Sequence, residues 1–348
     1  MGSVNRAHKL SSPLEKDMHR LLFVFAVVTA LLTVFNLETQ GQRGQTRQIS
    51  QVQGDLYFVA AGTHNTVFLV TPEGIILADP ISTEIATWLK GELDRRFIVP
   101  VRYIIYSHHD FDHAEGAAVF GAGAQVVAHE NVLKNLDGRL HRLAGGNVDT
   151  NSNGRLDRDE ARGGYLTAFD RLDRNKDSAI TPVELMEEIR KPDITYSDKR
   201  TLTLGGKTVQ LIHPGRNHSD DMTVLHFPAE RAVFSVDIIT VGGSPAFRAD
   251  YDWTPLRDWI ASIRAIEALD FDKALGGHGR IGTKAEVTTN REFLEDVSAA
   301  VQKGISEGKT LDELKQSVTL DKYAAWNNFE TNRLNHIEAA YNNLRNYR

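Results

Sequence analysis

Seven consecutive residues carry the densest chemistry in the chain: Ser107, His108, His109, Asp110, Phe111, Asp112 and His113. Three imidazoles and two carboxylates fall within six positions. They follow an apolar, strand-type run at residues 101–106 and precede a helix-compatible stretch at 114–119. A single histidine is ordinarily a solvated or packed residue and carries no inference. Where a strand ends the backbone leaves the sheet, so side chains can converge on one point instead of spreading along a face. Crowding so many strongly hydrated groups is costly unless a cation takes up their lone pairs. The pattern points to a metal site, with Asp112 also a candidate for a direct catalytic role.

A different cation chemistry lies downstream. Asp149, Asn151, Asn153, Asp157 and Glu160 supply oxygen at the first, third, fifth, ninth and twelfth places of one stretch. Gly154 stands at the sixth, Arg155 at the seventh and apolar Leu156 at the eighth. This is the spacing of an EF-hand calcium loop, whose seventh residue ligates through its backbone carbonyl. Asp173, Asn175, Asp177, Ala179, Thr181 and Glu184 repeat it. One acidic loop is commonly a solvated turn; two complete ones are read as a calcium-binding pair. Leu156 and Ile180 are expected to pair across a small sheet, with a helix at 161–172 joining the hands. Ser178 occupies the second glycine place, where a Cβ in the left-handed region costs about 1 kcal/mol, so the second loop should bind more weakly. Outside the cytoplasm calcium would keep such loops filled, which favours a constitutive clip over a sensor.

Composition limits the rest. With 348 residues, 41% hydrophobic and 25% charged, the chain can bury a full core and has room for additions. A formal charge of −6, with no Lys/Arg patch interleaved with aromatics, excludes a broad nucleic-acid groove. The absence of cysteine excludes disulfides, thiolate zinc sites and a Cys nucleophile. Arg6, Lys9, Lys16 and Arg20 precede an apolar run at residues 21–35. That run is short for a spanning helix, which needs about 20 residues, and suits an export signal. Residues 1–40 are therefore expected to be a signal peptide, with Thr39-Gln40-Gly41 the best cleavage candidate, or else an uncleaved membrane tether. The protein would then be periplasmic or extracellular. Residues 38–48 read as a linker.

The positioning elements alternate between strand and helix. Strands are expected at 56–60, 66–70 and 75–78, a helix at 84–96, a strand at 125–128 and a helix at 130–136. After the calcium-loop insert at 141–192, strands at 200–204 and 207–213 form a hairpin, followed by strands at 222–227 and 232–236 and a helix stripe through Leu256, Trp259, Ile260, Ile263 and Ile266. The order fits two sheets flanked by helices. Residues 291–348 read as a C-terminal helical extension, with Trp326, Tyr323 and Tyr341 expected to serve its packing.

The motif at 108–113 resembles the H-x-H-x-D-H signature of the metallo-β-lactamase-fold hydrolases, with His108, Asp112 and His113 in register. The stretch Asn217-His218-Ser219-Asp220-Asp221 resembles the family's G-H-[ST]-x-G-D element. Phe234-Ser235-Val236-Asp237 is similar to its "FSGD" strand end, and Gly276-Gly277-His278-Gly279 to its P-G-H-G loop. The resemblance implies a four-layer αββα sandwich over residues 49–290, interrupted by the insert, with two divalent transition metals along one edge. His108, Asp110 and His218 would hold one; Asp112, His113 and His278 would hold the other; Asp237 would bridge. His213 and His226 match no family position and are read as structural. Asp110 departs from the pattern, standing where most members carry His, and resembles the flavodiiron branch, which has Glu there and holds iron. A carboxylate hardens that site toward iron or manganese, although zinc, which tolerates one, stays slightly ahead. His109, one residue away in an extended chain, is expected to point to the other side.

Two such cations lower the pKa of a shared water to about 7. The implied activity is hydrolysis of a small-molecule ester, lactam, lactone or phosphoester. An iron-dependent oxygenase or redox protein on the same scaffold, and a calcium-dependent binding protein with a degenerate centre, are the alternatives. Pocket loops set the substrate and carry no readable signature.

Overall fold

A computed structural model of the chain describes residues 47–137, 149–247 and 254–347. The expected leader or anchor lies outside these residues, as do residues 141–148 at the start of the insert. Among the described residues no helix is long and apolar enough to cross a membrane.

The first sheet begins as a meander, β1 (Arg47–Gln53), β2 (Leu56–Ala61), β3 (His64–Thr71) and β4 (Gly74–Ala78). It continues through the parallel strands β5 (Val101–Ile105), β6 (Gln125–His129) and β9 (Ile194–Tyr196), in spatial order β1-β2-β3-β4-β5-β6-β9. Between β4 and β5, α1 (Thr83–Arg96) starts at Ser82, whose hydroxyl accepts from the Ile85 amide at 3.2 Å, a cap that contributes about 1 kcal/mol. The strand period of two divides each strand between faces. Val67, Leu69, Ile76, Ala78, Ile105 and Val127 face inward into the main core. Val59, Phe68, Ile75 and Leu77 face outward against Leu89 and Leu93 of α1. Burial on both faces is what parallel strands require.

The second sheet has the order β10 (Lys199–Leu204), β11 (Lys207–Ile212), β12 (Val224–Phe227), β13 (Ala232–Phe234), β14 (Lys273–Leu275) and β15 (Gly282–Thr283). Here β13 and β14 are parallel. Its inner residues, among them Val209, Leu211, Leu225 and Phe227, share one core with the first sheet. The helices α6 (Leu256–Glu267) and α7 (Lys284–Ser306) join the same core through Trp259, Ile263, Phe293, Leu294 and Val297. The Trp259 indole also donates to the Ile238 carbonyl at 3.0 Å. The shorter α8 (Leu311–Ser317) and α9 (Phe329–Asn346) complete the expected C-terminal extension. Tyr323 and Trp326 pack edge and tilt against Phe293, the packing role expected of them.

The insert is less separate than its sequence suggests. It contains β7 (Leu156–Asp157), α4 (Gly163–Leu172), β8 (Ala179–Ile180) and α5 (Pro182–Glu187). Leu156 pairs with Ile180 across a two-stranded sheet, as expected. Leu156, Phe169, Leu172, Ile180, Leu185 and Met186 then pack on the outward residues Ile104, Tyr106, Val126 and Ala128. This segment thus forms the outer layer over β5 and β6. Two short elements, α2 (Phe111–Ala114) and α3 (Val132–Asn135), occupy the edge above the parallel strands; α3 is shorter than the helix expected at 130–136.

Candidate metal centre

The centre forms where parallel strands end, the position at which α/β sheets bind ligands. β4 and β5 end side by side at Asp79 and Ser107, and in the second sheet β13 and β14 end at Asp237 and the Gly276–Gly279 loop. Asp79 is fully buried and accepts from the Ser107 amide at 2.7 Å, the Ser107 hydroxyl at 2.6 Å and His113 Nδ1 at 3.2 Å. His108 Nδ1 lies 2.9 Å from the same hydroxyl. His278 Nδ1 donates to the Thr63 carbonyl at 2.7 Å. With Nδ1 protonated in these rings, each presents its Nε2 lone pair to one region, as imidazole ligands require.

Two groups of donor atoms result. In the first, Asp110 Oδ2 lies 3.3 Å from His108 Nε2 and 3.0 Å from His218 Nε2. The second holds Asp112, His113 and His278 together with His64. Asp237 lies between them: Oδ2 is 3.7, 3.3 and 3.8 Å from Nε2 of His108, His113 and His218, and Oδ1 is 3.3 Å from Nε2 of His278. All seven residues singled out in the sequence therefore converge. The loop carrying His278 approaches this closely because residue 277 is glycine: a Cβ there would lie 2.6 Å from Val236 Cγ1 and 2.9 Å from His113 Cε1.

The donor set fits cations. His108 Nε2, His113 Nε2 and Asp237 Oδ1 are buried without a hydrogen bond, which is costly unless something else uses their lone pairs. Burial opposes charge on both His113 and Asp237, yet each outweighs that for the other. The Asp237 and Asp112 carboxylates hold His113 well above the usual imidazole range, and His113 with His278 holds Asp237 well below the carboxylate range. A cation would have to displace the His113 proton, whereas Asp237 is already ionised. His108 and His113 are fully buried, whereas the side chains of Asp112 and His278 are 42% and 43% exposed, so the second group faces solvent.

Three residues around the site, Asp79, Asp221 and His64, were given no role in the sequence reading. Asp79 could have been found, since it ends an apolar strand as Ser107 does. Asp221 is fully buried and accepts from His109 Nδ1 at 2.9 Å. His109 Nε2 lies 3.4 Å from Asp110 Oδ1 without a hydrogen bond between them. His64 is an isolated histidine in sequence and gave no signal. His213 and His226 stand apart from both groups, bonded to the Met222 carbonyl and to Gln210 and the Asp270 carbonyl.

The two acidic loops of the insert share one geometry. Asp149 accepts from the Asn153 and Gly154 amides, and Asp173 from the Asp177 and Ser178 amides. Glu160 accepts from the Thr150 and Asn151 amides, and Glu184 from those of Arg174 and Asn175. Gly154 and Ser178 both have positive φ, +83° and +68°. The insert also touches the centre's own loop. Tyr165 stacks on Phe111 at 6.2 Å, and Arg171 donates to Glu115 at 3.0 Å.

Comparison with known proteins agrees with this architecture. The chain is 25% identical over 287 residues to 2,4-dinitroanisole O-demethylase subunit alpha of Nocardioides sp. (strain JS1661), covering 81% of this chain and 70% of that protein. It is 25% identical over 270 residues to a linear primary-alkylsulfatase of Pseudomonas sp. (strain ATCC 19151), covering 73% of this chain and 49% of that one. The solved structure of the sec-alkylsulfatase Pisa1 from Pseudomonas sp. superposes with a TM-score of 0.62 at 15% identity, over 89% of this chain and 52% of that chain. The chain thus spans about half the length of these alkylsulfatases. The family model of the metallo-beta-lactamase superfamily matches residues 59–278, from β2 to the last candidate ligand, and the chain belongs to that superfamily.

Proposed function

We propose that the protein is a metal-dependent hydrolase with a two-cation centre, acting on a small molecule through an ester, lactone, lactam or phosphoester bond. The observation that carries this reading is the position of Asp237, within 4 Å of imidazole nitrogens from both donor groups. His108, Asp110 and His218 would hold one cation, and Asp112, His113 and His278 the other. When bound, the pair would supply an acidified water and polarise the bond under attack. Asp79 fixes the Nδ1 proton of His113. The exposed Asp112 carboxylate borders the solvent side, where substrate would arrive and where a proton could be passed on. The names of the curated relatives, an alkylsulfatase and an O-demethylase, favour an oxygen-linked bond, sulfate esters included, over a lactam.

Metal analysis of protein purified without added metal, with parallel assays on aryl ester, sulfate ester, phosphodiester and lactam substrates, tests the reading. Hydrolysis lost in Asp237→Ala supports it. Iron as the bound metal, with oxygen consumption and no hydrolysis, would replace it by the oxygenase or redox alternative that Asp110 favours.

The insert is proposed to hold calcium through Asp149, Asn151, Asn153, the Arg155 carbonyl, Asp157 and Glu160, and through Asp173, Asn175, Asp177, the Ala179 carbonyl, Thr181 and Glu184. Export is proposed from the basic and apolar pattern before residue 40. Cell fractionation with mass determination of the mature protein checks it; full-length protein in the cytoplasm would refute it.

A further inference from the structure

We propose that His64 is a further side-chain ligand of the second cation, beside Asp112, His113, His278 and the shared Asp237, an inference that rests on the two-cation reading. The turn between β2 and β3 carries this histidine to the rim of the centre, far in sequence from the other donors. Its Nε2 lies 3.0 Å from Asp112 Oδ2. One donor atom from each of His64, Asp112, His113 and His278 falls within 4.8 Å of the other three. Ligands on bonds of roughly 2.0–2.1 Å lie about 2.9–3.6 Å apart where neighbouring bonds meet at roughly 90–120°. The separation of 3.0 Å for His64 to Asp112 falls in that range, and that of 4.0 Å for His113 to Asp112 lies just beyond it.

The turn is held rather than loosely draped. The Asn65 amide donates to the Gly277 carbonyl at 2.7 Å, and its side chain to the carbonyls of Gly276 and Gly279 at 3.2 and 2.9 Å. Thr63 serves two rings at once: its carbonyl accepts from His278 Nδ1 at 2.7 Å, and its hydroxyl lies 3.1 Å from His64 Nδ1. With the His64 proton on Nδ1 and directed at that hydroxyl, Nε2 is a lone pair aimed at the donors of the second group. One residue thereby orients two imidazoles in the same sense.

The consequence is an unequal centre. The first group offers two imidazoles and Asp110, the second three imidazoles and Asp112, with Asp237 shared. The nitrogen-rich group favours zinc, and the harder group tolerates iron or manganese.

The test uses the full chain, stripped of metal and reloaded with Co(II). Metal per chain, affinity by chelator competition and the visible cobalt spectrum are compared for wild type, His64→Ala and His64→Gln. Circular dichroism confirms that the stripped variants fold. Wild type should take two ions. His64→Ala should keep one at unchanged affinity and lose the other by more than the roughly 10–100-fold that loss of an outer hydrogen bond costs, with a changed spectrum. His64→Gln, which can still donate to Asp112, should not restore the wild-type spectrum. If it does, or if His64→Ala leaves both affinities intact, His64 only braces Asp112 and the proposal is overturned. Wild type binding fewer than two ions overturns the two-cation reading and this proposal with it.

Discussion

Asp110 places its two oxygens on different partners, Oδ2 toward His108 and His218 and Oδ1 toward His109. Replacing it by histidine would remove one negative charge from the first group and soften it. Asp110→His should move the metal bound on expression toward zinc and change turnover together with it. Identical metal content and activity would show that this carboxylate tunes nothing. Behind it, the His109–Asp221 pair makes a pH-dependent contribution to the stability of metal-stripped protein. Burial disfavours the imidazolium, but Asp221 outweighs it and pushes His109 up to about 9 from 6.5. Burial likewise disfavours the Asp221 carboxylate, while His109 holds it at about 2 against 3.8. The histidine's contribution is complete below its ordinary 6.5 and vanishes as pH rises through about 9; the aspartate's vanishes only as pH falls through about 2. The gap in melting temperature between wild type and His109→Gln should shrink on the alkaline side of neutrality, and a gap constant up to pH ~10 contradicts the assignment. At this scale the sequence was legible where donors cluster, as at 108–113. It was silent where a lone residue acquires its role from another strand, as His64 and Asp221 do. His109, expected to face away from the ligands, belongs to neither donor group, and its Nδ1 meets Asp221.

At the scale of elements, alternation made β2 to β5 readable and the helical stripe made α6 readable. The first strand was not expected, and the linker reading ran two residues into it, because Arg47–Gln53 is polar and edge-lying, with no residue fully buried. The two acidic loops carry the left-handed residue expected at each sixth place, Gly154 and Ser178, but their docking was not legible. Nothing in their spacing announces that Phe169 and Leu172 cover β5 and β6, or that α4 reaches Phe111 and Glu115. Ser178→Gly removes a strained Cβ at φ +68° and should tighten calcium at the second loop about fivefold, the equivalent of about 1 kcal/mol, by titration calorimetry. Glu160→Gln with Glu184→Gln should lower the melting temperature in calcium and weaken transition-metal retention, because the layer behind the motif loosens. Unchanged stability and retention would make the insert a bystander.

On the scale of the whole molecule, the chain passes from one sheet to the other between Tyr196 and Lys199. Donors His64, His108, Asp110, Asp112 and His113 come from the first side, and His218, Asp237 and His278 from the second. Asp110 and His218, which meet at 3.0 Å, are 108 residues apart. Any ion held here therefore ties the sandwich shut along its open edge, closing long loops much as a covalent cross-link would. Chelation should cost more than activity: the melting temperature should fall and protease sites along the junction of the sheets should open, with re-addition of metal reversing both. Equal melting of loaded and stripped protein would refute this. A metal bound here would be a rivet as well as a reagent, so that a cell starved of it would lose the protein by unfolding and not merely by inactivity.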